Sequence, residues 1–258
     1  MLDGRVAVIT GSSKGLGRHI ARWYGQAGAR IVLSGRDEAK LAHTLDEVRG
    51  LGVEAIAVPC DVRAEARVER LMAAAAEQFG GIDLLVNNAA IVPHFRWGLP
   101  VWPGIKDMAE THWNDIMSTI LGGTFLATKH ALPYLESRGG GHVVNIYGWG
   151  NLRSHVHVIA KEAVGIFTLY AAEEERRHNV CIVCVGPNGA FASDDAPDFL
   201  KKSLPSPEET SKQLFLLAAE APMELSGLML EIQDGALRQR DWTAWDRTNR
   251  LQADAASL

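Results

Sequence analysis

Cysteine is scarce in this chain, with three among 258 residues. So few thiols exclude a disulfide-stapled scaffold, which needs several cysteine pairs in a short chain. Two of them, Cys181 and Cys184, form a CxxC within an apolar run of residues 180–185. Residues i and i+3 of a strand point to opposite faces, so this spacing does not suit a shared metal or a disulfide. We expect both thiols to be packed in the core.

The chain also lacks long apolar runs and an excess of positive charge. No stretch approaches the roughly 20 apolar residues that span a bilayer, and residues 1–5 lack the apolar character of a secretory signal. With 26 basic and 31 acidic residues the net charge is −5, which gives no broad positive field for a nucleic-acid backbone. We therefore expect a cytoplasmic protein that binds neither membrane nor nucleic acid.

What the chain does have is ordinary globular composition, with 47% hydrophobic and 22% charged residues. Apolar runs that predict buried parallel strands alternate with helix-period segments. The predicted strands are residues 5–10, 29–34, 53–58, 82–87, 142–147, 180–185 and 227–232. The predicted helices are residues 14–28, 37–51, 64–79, 110–137, 155–177 and 207–220.

This alternation predicts a doubly wound parallel α/β sheet of about seven strands with helices on both faces. The length allows one large domain or two small ones, and no linker or repeat interrupts the pattern. We therefore expect one domain over residues 1–258, with a nucleotide-binding half, an active-site half and a tail at 1–90, 91–235 and 236–258. In such sheets the loops at the carboxyl ends of the strands form the ligand site.

The strongest motif is the glycine-rich stretch TGSSKGLG at residues 10–17, which follows the first predicted strand and opens a helix. Glycines allow the tight turn and let backbone N–H groups and the positive helix terminus approach a pyrophosphate. The position between a strand and a helix makes a structural role alone a poor explanation of these glycines.

The chain resembles the short-chain dehydrogenase/reductase family from about residue 5 to residue 235, and the family's TGxxxGxG motif is complete. Further matches are the adenine-contacting pair Asp61-Val62, the NNAG-like residues 87–90 with the last glycine changed to alanine, the loop proline Pro187, and the turn Asp234-Gly235. The resemblance implies a Rossmann-like fold, a nicotinamide cofactor and a homodimer or homotetramer. It assigns cofactor contacts to Gly11, Ser13, Lys14, Gly15, Leu16, Gly17, Arg36, Asp61, Val62, Asn88, Lys161 and Pro187.

The end of the second predicted strand bears on the choice of nucleotide. A carboxylate there binds the ribose 2′-hydroxyl of NAD and repels a 2′-phosphate, but Ser34-Gly35-Arg36 offers none. Arg36 can make bidentate phosphate contacts, and Lys14 resembles the basic residue of NADP-preferring family members. We therefore expect NADP(H) in preference to NAD(H).

The catalytic pattern of the family is missing. Its YxxxK pair occurs nowhere, and the matching register places His157 at the tyrosine and Lys161 at the lysine. The catalytic serine corresponds to Gly148 and the asparagine to Ile120. Beyond Pro187, Asn188 and Ala192 replace a glycine and a threonine. These losses cluster at the nicotinamide end of the expected site.

Two interpretations of this asymmetry stay open. The chain binds NADP(H) without catalysis, in a regulatory or structural role, or His157 and Lys161 run an altered proton transfer. Beside Lys161 and an oxidised nicotinamide the pKa of His157 is expected to fall, so the ring suits a base better than an acid. That favours alcohol oxidation, or a lyase or isomerase reaction, over carbonyl reduction. Tyr147 is a candidate hydrogen-bond donor at the same site.

Other features are less specific. The HxH of His155 and His157 lacks a third ligand, so we predict no metal site. Aromatic residues in the connection 91–109 suggest either a pocket wall for a partly apolar small substrate or an oligomer contact. The tail carries Trp242 and Trp245, which suit packing against a neighbouring subunit.

Overall fold

The computed structural model describes residues 2–91, 103–148, 155–187, 202 and 204–239. Its strands are β1 (Val6–Ile9), β2 (Arg30–Gly35), β3 (Ala55–Pro59), β4 (Leu84–Asn87), β5 (Gly141–Ile146), β6 (Val180–Val185), β7 (Met229–Gln233) and β8 (Ala236–Gln239). They form one sheet in the order β3-β2-β1-β4-β5-β6-β7-β8. Strands β1 to β7 pair in parallel, and β8 pairs antiparallel with β7.

Helices connect these strands and cover both faces of the sheet. They are α1 (Gly15–Gln26), α2 (Glu38–Gly50), α3 (Glu65–Phe79), α4 (Glu110–Met117), α5 (Gly123–Ser137), α6 (His155–Glu175), α7 (Pro207–Thr210) and α8 (Lys212–Ala218). A π-helical turn, Ser118–Gly122, joins α4 to α5. The doubly wound α/β architecture predicted from the sequence is confirmed. Among the described residues, no helix combines the length and apolarity needed to cross a bilayer.

The hydrophobic core lies on both faces of the sheet, which explains why the parallel strands have near-continuous apolar sequences. Side chains alternate along β1, so Ala7 and Ile9 enter one cluster while Val6 and Val8 enter the other. Trp23 and Tyr24 of α1 and Phe215 of α8 pack in the first cluster. Cys181 and Cys184 are buried in different clusters, so the expectation for the two thiols is confirmed.

The eighth strand corrects the prediction that residues 236–258 form an irregular tail. Asp234 and Gly235 have φ of 52° and 75°, and they join β7 to β8 in a two-residue hairpin turn. Such turns need positive φ at both central residues, which is why Asp-Gly is a hairpin signal. The turn was predictable from Asp-Gly, but the strand after it was not, because its four residues are too few to show an alternating pattern.

Two predicted helices also differ in detail. Residues 110–137 form α4, the π turn and α5 in succession, and residues 207–220 divide at Ser211 into α7 and α8. The aromatic residues at 94, 95, 97 and 102 and the tryptophans at 242 and 245 lie outside the described residues. The described residues include the carboxyl ends of β1, β4, β5 and β6, where predicted site residues lie.

Candidate active site

The glycine-rich turn runs from the end of β1 to the start of α1. Gly11 has φ +64°, and a Cβ there would lie 2.7 Å from the Cα of Ala89, so the turn packs directly on the chain after β4. A Cβ on Gly17 would lie 2.6 Å from the carbonyl oxygen of Gly11. Gly15 has φ +57°, and within the described part of the chain no atom lies within 4 Å of a Cβ added there. The turn therefore brings its backbone to the N-terminus of α1, an arrangement that fits a pyrophosphate.

This turn is held by one of its own side chains, Ser12, and by side chains from α2 and from the segment after β4. Ser12 Oγ donates to the Ile9 carbonyl and accepts from the N–H of Ser34, both at 2.9 Å. Thr44 Oγ1 donates to the carbonyl of Ser13 at 3.1 Å. Asn88 Nδ2 donates to the carbonyls of Thr10 and Gly11, both at 2.9 Å. Asn88 thus acts on the turn itself, and Leu16 packs against the core beneath it.

At the end of β2, Arg36 is exposed, as is Lys14 at the N-cap of α1. The nearest acid in sequence, Asp37, caps α2: its Oδ1 accepts the N–H of Lys40 at 3.1 Å. That backbone hydrogen bond lowers the pKa of Asp37 below its ordinary value. The Asp37 carboxylate is engaged at the N-terminus of α2. Lys14 and Arg36 are the two cations beside the position expected for the ribose.

Asp61 follows β3, and Arg63 clamps it. Arg63 Nε donates to both carboxylate oxygens of Asp61, at 3.0 and 3.1 Å, and Arg63 NH1 donates to Asp115 of α4 at 2.7 Å. Burial opposes the charged form of Asp61, but the hydrogen bonds from Arg63 hold its pKa below the ordinary value. Val62 is buried and lies against Gly123 of α5. Arg63 carries no motif in the sequence and looks like one surface arginine among many, so it was not predicted.

The proposed chemical end of the site lies between β5 and α6. His157 and Lys161 are one helical turn apart on α6. A Cβ added to Gly148 would lie 3.8 Å from His157 Nε2 and 3.7 Å from Lys161 Cε, which are ordinary contact distances. The structure therefore brings together the three positions that the resemblance assigns to serine, tyrosine and lysine. His157 Nδ1 also contacts the carbonyl oxygen of Ile91 at 3.1 Å.

Lys161 is almost completely buried, at 4% exposure. Its Nζ donates to the carbonyl of Ile146 at 2.7 Å. Burial lowers the pKa of Lys161 to about 8, because the apolar surroundings disfavour the ammonium. The same surroundings raise the pKa of the neighbouring Cys184 thiol to about 12. Cys184 is thus a neutral packing residue beside a lysine whose charge is sensitive to pH.

Tyr147 takes a different position from the one expected of a donor at the reacting oxygen. It is 3% exposed, and its hydroxyl donates to Glu162 Oε1 at 2.6 Å. Its ring packs against Gly186, next to Pro187, where the described segment ends. A role for Tyr147 in proton transfer stays a prediction. Ile120, at the position of the family asparagine, is buried in the π turn, and Asn188 and Ala192 lie outside the described residues.

A buried polar row runs beneath this end of the site. Asn87 Nδ2 donates to Asn145 Oδ1, and Asn145 Nδ2 donates to Thr168 Oγ1, both at 2.8 Å. Asn87 and Asn145 are direct neighbours across β4 and β5. The row fixes the carboxyl edges of these strands against α6. The sequence signal for this polar row is the asparagine near the end of each of the apolar strands β4 and β5.

One further cluster of ligand-type side chains lies elsewhere. Glu136, Glu175 and His178 have ligand atoms within 4.8 Å of one another, at the ends of α5 and α6 away from His157. His178 Nδ1 is 3.0 Å from Glu175 Oε2 and 3.6 Å from Glu136 Oε1, so contacts between the imidazole and the two carboxylates account for the grouping.

The comparisons with known proteins identify the family and the fold. The family model described as short chain dehydrogenase matches residues 5–197. Dehydrogenase/reductase SDR family member 4 of Bos taurus is 29% identical over 254 residues, covering 92% of this chain and 88% of the relative.

Solved structures are similar over nearly the whole chain. A 7α-hydroxysteroid dehydrogenase complexed with NADH and 7-oxo glycochenodeoxycholic acid has a TM-score of 0.78 and 25% identity, covering 93% of this chain and 96% of that one. A metagenomic short-chain oxidoreductase in complex with NADP has a TM-score of 0.71 and 27% identity, covering 86% and 94%.

Proposed function

Since this chain belongs to the short chain dehydrogenase family, whose members are nicotinamide-dependent oxidoreductases, we propose that it is an NADP(H)-dependent oxidoreductase in which His157 replaces the usual tyrosine. One observation carries the proposal: His157 Nε2 and Lys161 Cε both lie within 3.8 Å of a Cβ added to Gly148. An imidazole is the commonest general acid or base in enzymes, and here it occupies the position of the proton-transfer residue.

The preference for NADP(H) is supported by the charges around the end of β2. Arg36 and Lys14 are exposed, and the Asp37 carboxylate caps α2. A 2′-phosphate would meet two cations there, whereas an NAD-binding site would present a carboxylate to the 2′-hydroxyl. The similar structures include one with NADH and one with NADP, so the residues of this chain must decide.

The proposed chemistry is the oxidation of a small alcohol. When bound, NADP⁺ supplies the acceptor for the hydrogen and electron pair that the alcohol carbon loses. His157 in its neutral form accepts the hydroxyl proton at Nε2. By resemblance, Lys161 would hold the ribose of the nucleotide, and its pKa of about 8 predicts that this contact would weaken in alkali.

The test is NADP⁺ reduction by a panel of secondary alcohols, including hydroxysteroids because a structural neighbour is a hydroxysteroid dehydrogenase. His157→Gln should lower turnover about 10²- to 10⁴-fold, the usual contribution of a positioned base, with NADP⁺ affinity nearly unchanged. The control is His155→Gln, a second partly buried histidine two residues earlier on α6. A fully active His157→Gln protein would refute the assignment and turn attention to Tyr147.

A non-catalytic NADP(H)-binding role is the second candidate. It is favoured by the positions at which the chain departs from the family, because Gly148, Ile120 and His157 all correspond, by resemblance, to positions at the nicotinamide end, while the glycine-rich turn is intact. This role predicts tight NADPH binding, by thermal stabilisation, with no turnover across the panel. A lyase or isomerase on the same scaffold would instead exchange substrate protons through His157, with no net oxidation or reduction of the nucleotide.

A further inference from the structure

We propose that the backbone carbonyl of Ile91 is the positioning group that makes His157 a base at Nε2, an inference that rests on the proposed role of His157. A neutral imidazole has one N–H and one lone pair. A carbonyl oxygen only accepts hydrogen bonds, so its 3.1 Å contact with His157 Nδ1 places the proton on Nδ1. The lone pair is then on Nε2, the nitrogen 3.8 Å from a Cβ at Gly148.

The opposite tautomer would set two lone pairs against each other at this contact. Nδ1 would turn its lone pair toward the carbonyl oxygen of Ile91, and Nε2 would carry the proton. The ring would then face Gly148 as a donor and could not accept a proton from an alcohol. The Ile91 carbonyl therefore selects the direction of proton transfer as well as the orientation of the ring.

The carbonyl is itself held in place from two sides. The Ile91 side chain is 3% exposed and packs in the cluster that contains Ile116 and Val156. The residues just before it are tied to the end of β1, because the N–H groups of Asn88 and Ala89 donate to Thr10 Oγ1 at 3.0 and 3.1 Å. Residues 88–91 thus link the glycine-rich turn to the carbonyl that sets the tautomer of His157.

This arrangement carries no signal in the side-chain sequence. Residue 91 acts through its backbone, and any apolar residue there would offer the same carbonyl. The family motif ends at residue 90, so a search for catalytic side chains passes over Ile91. Ile91 and His157 are 66 residues apart in the sequence, and only the fold brings the two groups together.

The experiment reads the tautomer directly by NMR of protein labelled with ¹⁵N in its histidine rings. The chain has nine histidines, so the His157 signals are assigned by their loss in His157→Gln. With the ring neutral, we expect a protonated Nδ1 and an unprotonated Nε2. Ile91→Val is the control: it alters the buried side chain but keeps the carbonyl, so the tautomer should persist.

The second arm weakens the carbonyl without changing the side chain of Ile91. Replacing Val92 by its α-hydroxy acid converts the linkage after Ile91 into an ester, whose carbonyl is a poorer acceptor. The Nδ1–H population should then fall, and turnover should fall about twofold to tenfold, the factor that a neutral hydrogen bond gives, with KM for the alcohol little changed.

The tautomer measurement needs neither substrate nor nucleotide, so the two proposals fail separately. A neutral ring protonated mainly at Nε2, or an ester protein with the wild-type tautomer ratio, would overturn the role of the Ile91 carbonyl even in an active enzyme. An inactive protein whose His157 carries its proton on Nδ1 would support that role and contradict the proposed function.

Discussion

The proposed choice of nucleotide depends on individual charges at the protein surface. Arg36→Ala should weaken NADPH binding by about 1–3 kcal/mol, the size of a lost charged hydrogen bond, and should leave NADH binding nearly unchanged. Fluorescence titration of both nucleotides measures the difference. The control is Arg30→Ala, at the opposite end of β2, which pairs with Glu54 and should bind both nucleotides like the wild type. Equal losses for NADPH and NADH in Arg36→Ala would contradict the proposed 2′-phosphate contact.

The glycines of the turn make a second prediction. Gly11→Ala should destabilise the fold and abolish nucleotide binding, because φ is +64° and the new Cβ would lie 2.7 Å from the Cα of Ala89. Gly50→Ala should instead stabilise the protein by roughly 0.5–1 kcal/mol, since Gly50 is helical and its Cβ would meet no described atom within 4 Å. Urea unfolding of both variants measures the contrast. A Gly11→Ala protein as stable as the wild type would show that the turn relaxes.

At the scale of elements, the sequence predicted most of the fold because parallel strands buried on both faces leave near-continuous apolar runs. The π turn at Ser118–Gly122 was not predictable in this way, since its residues read as ordinary helix. The short strand β8 was missed for lack of length. In the site, side chains matched to a motif could be found, such as Lys161 and His157. The contact of the Ile91 carbonyl with His157 and that of Arg63 with Asp115 join residues distant in sequence and could not be found in this way.

The start of β5 gives a prediction about pH. Arg5 NH2 donates to His142 Nδ1 at 2.9 Å, so the neutral ring carries its proton on Nε2 and donates to the carbonyl of Ala221 at 3.0 Å. Burial, and then the charge of Arg5, lower the pKa of His142 below its ordinary value of 6.5. The unfolded chain therefore binds more protons than the folded protein just below pH 6.5, and stability falls as the pH falls through that range.

His142→Gln should remove this contribution, because glutamine does not titrate. Unfolding free energies measured in urea between about pH 7.5 and about pH 5 should fall less steeply for His142→Gln than for the wild type. His43→Gln is the control, since that histidine is 69% exposed on α2, and its slope should follow the wild type. Parallel slopes for the wild type and His142→Gln would mean that His142 does not contribute to acid sensitivity.

At the scale of the whole molecule, an apolar face on α6 and α5 is left exposed. Ile159, Ile166 and Tyr170 are 43%, 57% and 68% exposed, and their spacing of seven and four residues places them on one face of α6. Phe125 of α5 is 48% exposed and packs edge-to-face on Phe167 of α6, with ring centroids 6.5 Å apart. Exposed apolar side chains grouped in this way are typical of a subunit interface, and we propose that the predicted homo-oligomer forms through them.

Ile166→Asp tests this interface, because dimerisation would bury its carboxylate without a partner in an apolar contact. We expect dissociation to become easier by roughly 2–4 kcal/mol, a factor of about 30 to 1000 in Kd. Sedimentation velocity over a dilution series measures it. Leu51→Asp is the control, since Leu51 is an exposed apolar residue of similar size, 42% exposed at the end of α2 and far along the chain from α6.

Because the face lies on the helix that carries His157 and Lys161, the nucleotide affinity of the Ile166→Asp monomer shows whether assembly also supports the site. A wild-type protein that sediments as a monomer, or an Ile166→Asp protein that assembles like Leu51→Asp, would contradict this interface.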